Sequence, residues 1–260
     1  MSLPIGRRTL LGAALGLAFA GAATAPARAG LVEVIAAARS SVLAVGVYNP
    51  TASPRFGFRG SGFVVGDGNL VVTSAHVLPG IPDTAVGVRL VVQLPRGPLG
   101  LETRNASVER VDPEHDLALL RIEGAALPTL TIAPPASVRE GLAIALLGYP
   151  IAGALGYSLV THRGIVSSIT AIAPPMPTAG QLNARTIARL RSGSFDIYQL
   201  DATAYPGNSG GPVLDAETGQ VVGIVNLVLV RGTRESALSN PTGITYAIPG
   251  RYALELLQPR

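Results

Sequence analysis

Short apolar runs that end in glycine, proline or polar residues recur along most of this 260-residue chain. Residues 42–47 and 117–122 are typical, because each is a short run of β-branched and aliphatic residues bounded by turn-forming residues. Such turns return about every 8–12 residues, as in β-barrels and β-sandwiches. Helical periodicity is largely confined to residues 31–38 and 251–257. No alternation of strands and helices appears, so the sequence predicts an all-β fold with a short helix near each end.

The individual strands can be placed from these runs and from the turn signals between them. Gly66-Asp67-Gly68 predicts a hairpin between two of them, and residues 49–59 are predicted to be a loop because they contain two prolines. The predicted strands cover residues 42–47, 60–65, 69–74, 86–94, 101–111, 117–122, 142–147, 158–160, 164–172, 195–200, 213–214, 221–230 and 243–248.

Residues 1–29 have the features of an export signal rather than of a fold. Arg7-Arg8 precede an apolar, Ala/Gly-rich run over residues 10–25, and Ala27-Arg28-Ala29 form a small-x-small cleavage pattern. The paired arginines suit a twin-arginine signal, and a general secretory signal fits the same residues. We therefore expect an exported, periplasmic or secreted mature chain of residues 30–260, in which no later segment spans a membrane.

Charge and ligand chemistry exclude several classes of function. The three arginines of residues 1–29 account for most of the formal net charge, which falls from +4 to +1 without them. No basic cluster indicates nucleic-acid binding. The chain has no cysteine, and neither a metal-ligand spacing nor a phosphate-binding loop appears. We expect no cofactor and no metal.

Residues 201–212 place one serine, Ser209, among three glycines and two prolines. Such a segment is a shaped loop, because glycine favours positive φ and proline removes a hydrogen-bond donor. A nucleophilic serine needs this kind of turn, in which the hydroxyl projects and nearby N–H groups converge. An ordinary Gly/Pro loop with an incidental serine is the alternative. Residues 207–211 also match the nucleophile-elbow string Gly-x-Ser-x-Gly, but a strand rather than the required helix follows.

A nucleophilic serine requires a base, and the base requires a partner that orients it. Of three histidines, His76 ends a β-rich run and is the best candidate base, with a surface histidine as the alternative. His115 lies in a polar turn and is interpreted as a surface residue, and His162 as structural or exposed. Asp116 leads directly into an apolar run, so partial burial beside an imidazole is expected, although it could simply end the turn. The order His76, Asp116, Ser209 agrees with the chymotrypsin-like order.

At these residues the chain resembles the trypsin-like serine proteases of the HtrA/Deg type. The similarity runs from about residue 31 to residue 255, nearly the whole predicted mature chain. The motifs that carry it are residues 60–65 (GSGFVV), 72–77 (VTSAHV), 112–120 (DPEHDLALL), 164–167 (GIVS), 206–212 (PGNSGGP) and 243–249 (GITYAIP).

The resemblance implies two six-stranded antiparallel β-barrels, at about residues 42–126 and 138–250, with the active site between them. By matching position, Ser209 is the nucleophile, His76 the general base and acid, and Asp116 its orienting partner. The N–H groups of Gly207 and Ser209 are implied to form the oxyanion hole. In this family the oxyanion turn can be inactive until a loop rearranges.

The resemblance also places the primary specificity pocket, with Thr203 on one wall and Leu227, Val228 and Leu229 on another. No carboxylate occupies Thr203, so we expect a small or medium apolar residue before the cleaved bond and an extended substrate bound by β-addition. A trimer is possible by resemblance. The chain ends near the closing strand, so no PDZ domain is expected, and residues 173–194 are either a tolerated insertion or an activation or oligomerisation loop.

Three functions remain open from the sequence. The leading one is an exported serine endopeptidase that acts on unfolded or exposed polypeptide in protein quality control. An esterase or another acyl hydrolase could use the same three residues. A non-catalytic peptide-binding or chaperone-like module with a locked site is the alternative from a different class.

Overall fold

The structure, a computed structural model, describes residues 30–80, 86–96, 100–150, 158–172, 195–227 and 244–259. The predicted export signal, the loop over residues 173–194 and two of the predicted pocket residues, Val228 and Leu229, lie outside these ranges.

Six antiparallel strands form the first barrel. It closes in the order β1-β2-β3-β6-β5-β4, in which every neighbouring pair is antiparallel. Helix α1, Leu31–Ala38, precedes it. The strands are β1 Val42–Tyr48, β2 Phe56–Val65, β3 Leu70–Ser74, β4 Arg89–Arg96, β5 Gly100–Asp112 and β6 Leu117–Ile122.

A second barrel of six antiparallel strands repeats this topology. Its order, β7-β8-β9-β12-β11-β10, is that of the first barrel with each number raised by six. Helix α2, Gly250–Leu257, follows it directly. The strands are β7 Ala143–Gly148, β8 Val160–Ile172, β9 Phe195–Asp201, β10 Pro212–Asp215, β11 Val221–Val225 and β12 Ile244–Pro249. The predicted all-β fold of two six-stranded barrels with two short helices is confirmed.

Three apolar clusters hold the barrels together. Two of them fill one barrel each, and the third contains residues of both barrels together with α1 and α2. Successive side chains of a strand point to opposite faces, so alternate residues enter different clusters. In β1, Leu43 and Val45 enter the first barrel's own cluster, whereas Val42 and Ala44 enter the shared one. β1 is therefore buried on both faces, which explains its continuous apolar sequence.

Some predicted strand bounds were wrong. β2 begins at Phe56, inside the predicted loop, because Phe56 pairs with Tyr48 at the end of β1. β8 is one strand where two were predicted. Its polar residues 161–163 pair with β7 throughout and therefore continue the strand. Among the described residues, no helix is both long and apolar enough to cross a membrane.

Candidate active site

His76 lies in a single 3₁₀ turn, residues 75–77, directly after β3. Its ring Nδ1 is 2.5 Å from Oδ2 of Asp116, and its backbone N–H donates to Oδ1 of the same carboxylate at 2.9 Å. The two contacts fix both the position and the rotation of the ring. The side chain of His76 stays 28% exposed.

Asp116 occupies the turn between β5 and β6 with φ at +55°, the one positive φ of a non-glycine residue in the described part of the chain. This conformation is uncommon for a residue with a Cβ, so the surroundings must stabilise it. One contact that does so is the hydrogen bond from the N–H of Ala75 to the carbonyl of Asp116, at 2.8 Å. The backbone contact and the carboxylate contacts join the same two turns.

Asn226 is a site residue that the sequence interpretation missed. Its amide Nδ2 donates to Oδ2 of Asp116 at 2.8 Å, and the residue is fully buried directly after β11. It brings the second barrel into contact with the carboxylate that orients His76. The only signal in the sequence was a polar residue at the end of the apolar run 221–225.

Ser209 lies in the loop between β9 and β10, which packs tightly against the first barrel. Gly207 has φ at +107° and Gly210 has φ at +83°, so both require glycine-like backbone freedom. A Cβ on Gly210 would lie 2.2 Å from the carbonyl oxygen of Ser61 and 2.9 Å from the backbone nitrogen of Ser74. Only glycine permits this approach of the serine loop to the end of β3, two residues before His76.

In this loop the N–H groups of Gly207 and Ser209 have no hydrogen-bond partner within the described residues. The Ser209 side chain is nearly buried, with 5% exposure. In the same described part of the chain, its hydroxyl makes no hydrogen bond to His76 within 3.5 Å. The structure thus joins His76 to Asp116 directly, and it brings Ser209 close to them through the packing of its loop.

Asn208, between these two donors, is fully buried. Neither atom of its side-chain amide has a hydrogen-bond partner among the described residues.

The predicted specificity residues lie in different surroundings. Thr203 lines a cavity of about 470 Å³ whose other walls come from the start of β7, from β8 and from the end of β9, including Arg163 and Asp201. Leu227 does not line this cavity but packs against the interior of the second barrel.

The other two histidines differ from each other. The interpretation of His115 as a surface residue was wrong. Its ring stacks on Tyr252 of α2 with 3.7 Å between centroids, and only 12% of the side chain is exposed. Its Nδ1 lies 2.6 Å from Oδ2 of Asp112. His162 is half-buried beside Tyr205, and burial lowers its pKa.

Metal-binding chemistry finds no support in the described ranges. Within them, no three histidine, cysteine or acidic side chains lie close enough together to hold a metal ion.

Comparison with known families gives one match that spans most of the barrels. Residues 60–224 match the trypsin-like peptidase domain. The chain belongs to the trypsin-like peptidase family. The matched range contains His76, Asp116 and Ser209, and it ends within β11, just before Asn226.

The similar members of this family are serine proteases of the HtrA type. The mitochondrial serine protease HTRA2 of Drosophila pseudoobscura pseudoobscura is 28% identical over 234 residues, covering 88% of this chain and 46% of that protein. Its Bos taurus counterpart is 34% identical over 199 residues, covering 76% of this chain and 35% of that protein. The chain therefore spans less than half the length of these two relatives.

Solved structures of HtrA-type proteases share the same fold. The HtrA-type protease AlgW with a decapeptide superimposes with a TM-score of 0.60 at 23% identity, covering 88% of this chain and 66% of that one. A variant of the same protease with a tripeptide gives a TM-score of 0.61 at 24% identity, covering 88% and 63%.

Proposed function

We propose that this chain is a serine endopeptidase in which Ser209 is the nucleophile, His76 the general base and acid, and Asp116 its orienting partner. The observation that carries the proposal is the pairing of His76 Nδ1 with Asp116 at 2.5 Å, next to a glycine loop that packs Ser209 against the same barrel. Membership of the trypsin-like peptidase family supports it.

In the first half of the reaction, the Ser209 hydroxyl attacks the carbonyl carbon of a peptide bond, and Nε2 of His76 accepts the hydroxyl proton. The Asp116 carboxylate accepts a hydrogen bond from the Nδ1–H group and stabilises the imidazolium that forms. The C–N bond then breaks, and His76 gives its proton to the leaving amine. In the second half, water takes the place of the hydroxyl, attacks the acyl-enzyme and releases the acid and free Ser209.

The oxyanion of each tetrahedral intermediate is stabilised by the N–H groups of Gly207 and Ser209. Both donors are unpaired within the described residues, so they can donate to the oxyanion without first breaking an internal hydrogen bond. The loss of one such donor typically costs roughly 10²–10³ in rate. In free enzymes the bond from nucleophile to base is often long and tightens when substrate binds, which accommodates the missing Ser209–His76 bond.

The substrate that we propose is an extended stretch of unfolded or exposed polypeptide, cut after a small or medium apolar residue. Thr203 itself carries no carboxylate, the Asp201 carboxylate shares the walls of the same cavity with Arg163, and Leu227 contributes an apolar, half-buried surface. The similar HtrA-type structures, one with a tripeptide and one with a decapeptide, support a peptide ligand. Export directed by residues 1–29 and assembly into an oligomer such as a trimer belong to the same proposal.

A fluorophosphonate probe followed by digestion of denatured casein tests this function. We expect the wild type to be labelled and to cleave casein after apolar residues, whereas Ser209→Ala does neither. Ser107→Ala is the matched control, because Ser107 is an exposed serine on β5 and its loss should change nothing.

The other outcomes favour the other functions. Labelling without any cleavage of casein, together with hydrolysis of short acyl esters, would favour an acyl hydrolase. A folded wild type that binds denatured casein but resists the probe would favour a non-catalytic binding module. Either result would contradict the endopeptidase proposal.

A further inference from the structure

Ser61 of β2 is fully buried, and its hydroxyl joins three separate parts of the chain. The hydroxyl donates to the carbonyl oxygen of Gly207 at 2.7 Å. It also accepts a hydrogen bond from the backbone N–H of Tyr149, which follows β7, at 3.0 Å. One side chain of the first barrel thereby holds both the serine loop and the end of a strand of the second barrel.

The backbone of Ser61 adds two further contacts. Its N–H donates to the carbonyl oxygen of Ser209 at 2.8 Å, and its own carbonyl accepts from the hydroxyl of Thr73 at 2.7 Å. Ser61 thus binds the carbonyl groups of Gly207 and Ser209, the two residues whose N–H groups are the proposed oxyanion donors. Its own position is in turn fixed by the neighbouring strand β3.

Holding these two carbonyls constrains the peptide planes around the donors. The carbonyl of Gly207 belongs to the peptide that links it to Asn208, directly between the two donor N–H groups. Gly207 has φ at +107° and lacks a Cβ, so the loop's own sequence restricts the rotation of this peptide only weakly. Within the loop, the N–H of this peptide donates to the carbonyl oxygen of Tyr205 at 3.0 Å, and the Ser61 hydroxyl holds the carbonyl end of the same peptide from outside the loop.

The space around the Ser61 hydroxyl leaves room for little else. A Cβ on Gly148 would lie 3.0 Å from Ser61 Oγ and 2.7 Å from Oδ1 of Asn208. A glycine at the end of β7 therefore allows the hydroxyl and the serine loop to meet. The hydrogen bonds of the Ser61 hydroxyl therefore lie in a close-packed contact between the barrels and not on the surface.

We propose that Ser61 is a positioning residue, which orients the oxyanion loop through the Gly207 carbonyl without touching the substrate. The inference rests on the proposed peptidase function of Ser209. It assigns part of the oxyanion geometry to the first barrel, although both donor groups lie on a loop of the second.

The test compares Ser61→Ala with the wild type and with Ser41→Ala. Ser41 is the matched control, because it is 1% exposed and its hydroxyl has no partner among the described residues. Active-site titration with a fluorophosphonate counts the competent sites, so that kcat is expressed per site. We expect kcat of Ser61→Ala to fall about 10- to 100-fold with KM within about threefold, and Ser41→Ala to match the wild type.

A second readout separates orientation from simple stability. A peptide boronate forms a tetrahedral adduct with the serine, and its affinity depends on the oxyanion donors. We expect this affinity to weaken by the same factor as kcat/KM in Ser61→Ala. A purely structural role would lower the number of titratable sites and leave both kcat per site and boronate affinity unchanged, and that result would overturn the proposal.

Ser61→Cys keeps the proposal testable if the alanine variant does not fold. Cysteine fills the buried space but is a weak hydrogen-bond donor, so we expect the same loss of kcat per site as for alanine. Recovery of wild-type kcat by cysteine would mean that packing alone matters, and it would refute the inference. Failure of the peptidase function is seen separately, because the wild type itself would then neither label nor cleave.

Discussion

Two histidine–aspartate pairs meet at the connection between β5 and β6, to which His76 comes from the turn after β3, and their contacts are nearly identical. His76 Nδ1 lies 2.5 Å from Asp116, and His115 Nδ1 lies 2.6 Å from Asp112. In both pairs the carboxylate also accepts the backbone N–H of its own histidine, at 2.9 Å and 3.2 Å.

The two imidazoles differ in their surroundings. His115 is covered by the stacked ring of Tyr252 and by the edge of Phe195, and 12% of its side chain is exposed. His76 is 28% exposed, and the loop of Ser209 packs beside the turn that carries it. A histidine–carboxylate contact alone therefore does not distinguish the proposed base from a structural histidine. The proposed base, His76, also keeps a partly exposed ring beside the loop of Ser209.

The largest expected effect is a loss of kcat when the aspartate of each pair is replaced by asparagine and the two variants are compared. Asp116→Asn should lower kcat by about 10⁴-fold, because an amide no longer favours the tautomer of His76 that accepts a proton. Asp112→Asn should change kcat less than about threefold and reduce the free energy of unfolding by about 1–2 kcal/mol. Peptide cleavage and urea unfolding of both variants measure the contrast. Equal losses of activity would show that the two pairs act together and would refute the distinction.

The two pairs also differ in the third hydrogen-bond donor to each carboxylate. Asp116 receives the side-chain amide of Asn226 at 2.8 Å, whereas Asp112 receives the backbone N–H of Glu114 at 3.0 Å. Asn226→Ala should lower kcat/KM about tenfold, since a hydrogen bond to a charged group contributes about 1.5 kcal/mol.

Asn105→Ala is the control for this prediction. Its amide also donates to a carboxylate, that of Glu123 at 2.9 Å, but on the exposed side of the first barrel. Its kcat/KM should equal that of the wild type. If Asn226→Ala kept more than half of the wild-type value, the amide would have no orienting role.

The smallest expected effect is on the free energy of unfolding at acidic pH. Burial acts to raise the pKa of Asp112, but hydrogen bonds from the His115 ring, the His115 N–H and the Glu114 N–H outweigh it, and the pKa lies below its ordinary value. The folded state therefore binds this proton less readily than the unfolded chain does. The ionised Asp112 carboxylate contributes stability that is complete above its ordinary pKa, near 4. This stability is lost as the pH falls through the lower pKa that Asp112 has in the folded state.

The wild type should consequently lose more stability on acidification below about pH 4 than Asp112→Asn does. Urea unfolding at a series of pH values measures the difference between the two slopes. Parallel curves for the two proteins would show that Asp112 carries no such linkage.

Much of the fold was predictable because its signals are local. Apolar runs and turn residues place most strands, and Gly66-Asp67-Gly68 forms the predicted hairpin between β2 and β3. The error at Phe56 arose because strand length depends on the partner, and Phe56 pairs with Tyr48 beyond two prolines that indicated a loop. The merging of two predicted strands into β8 has the same cause, because pairing with β7 overrides local polarity.

The site residues also fall into those that the sequence could predict and those that it could not. His76 and Asp116 could be proposed as neighbours from motif order, and their direct contact accords with that hypothesis. Asn226 could not be proposed, because a polar residue at the end of an apolar run has no distinctive pattern. His115 was misassigned because the turn around it is polar, while its aromatic cover, Tyr252, comes 137 positions later in the sequence. Contacts of such long range depend on the closed barrels and leave no local signal.

The docking of α2 has a consequence for the order in which the chain leaves the ribosome. Tyr252 covers His115, and the carbonyl of Leu256 accepts from Arg110 at 2.9 Å, so α2 packs against the turn that precedes Asp116. A nascent chain that has released only the first barrel lacks this cover. It also lacks Asn226 and the loop of Ser209. The contacts around the turn before Asp116 are therefore complete only when α2 has emerged.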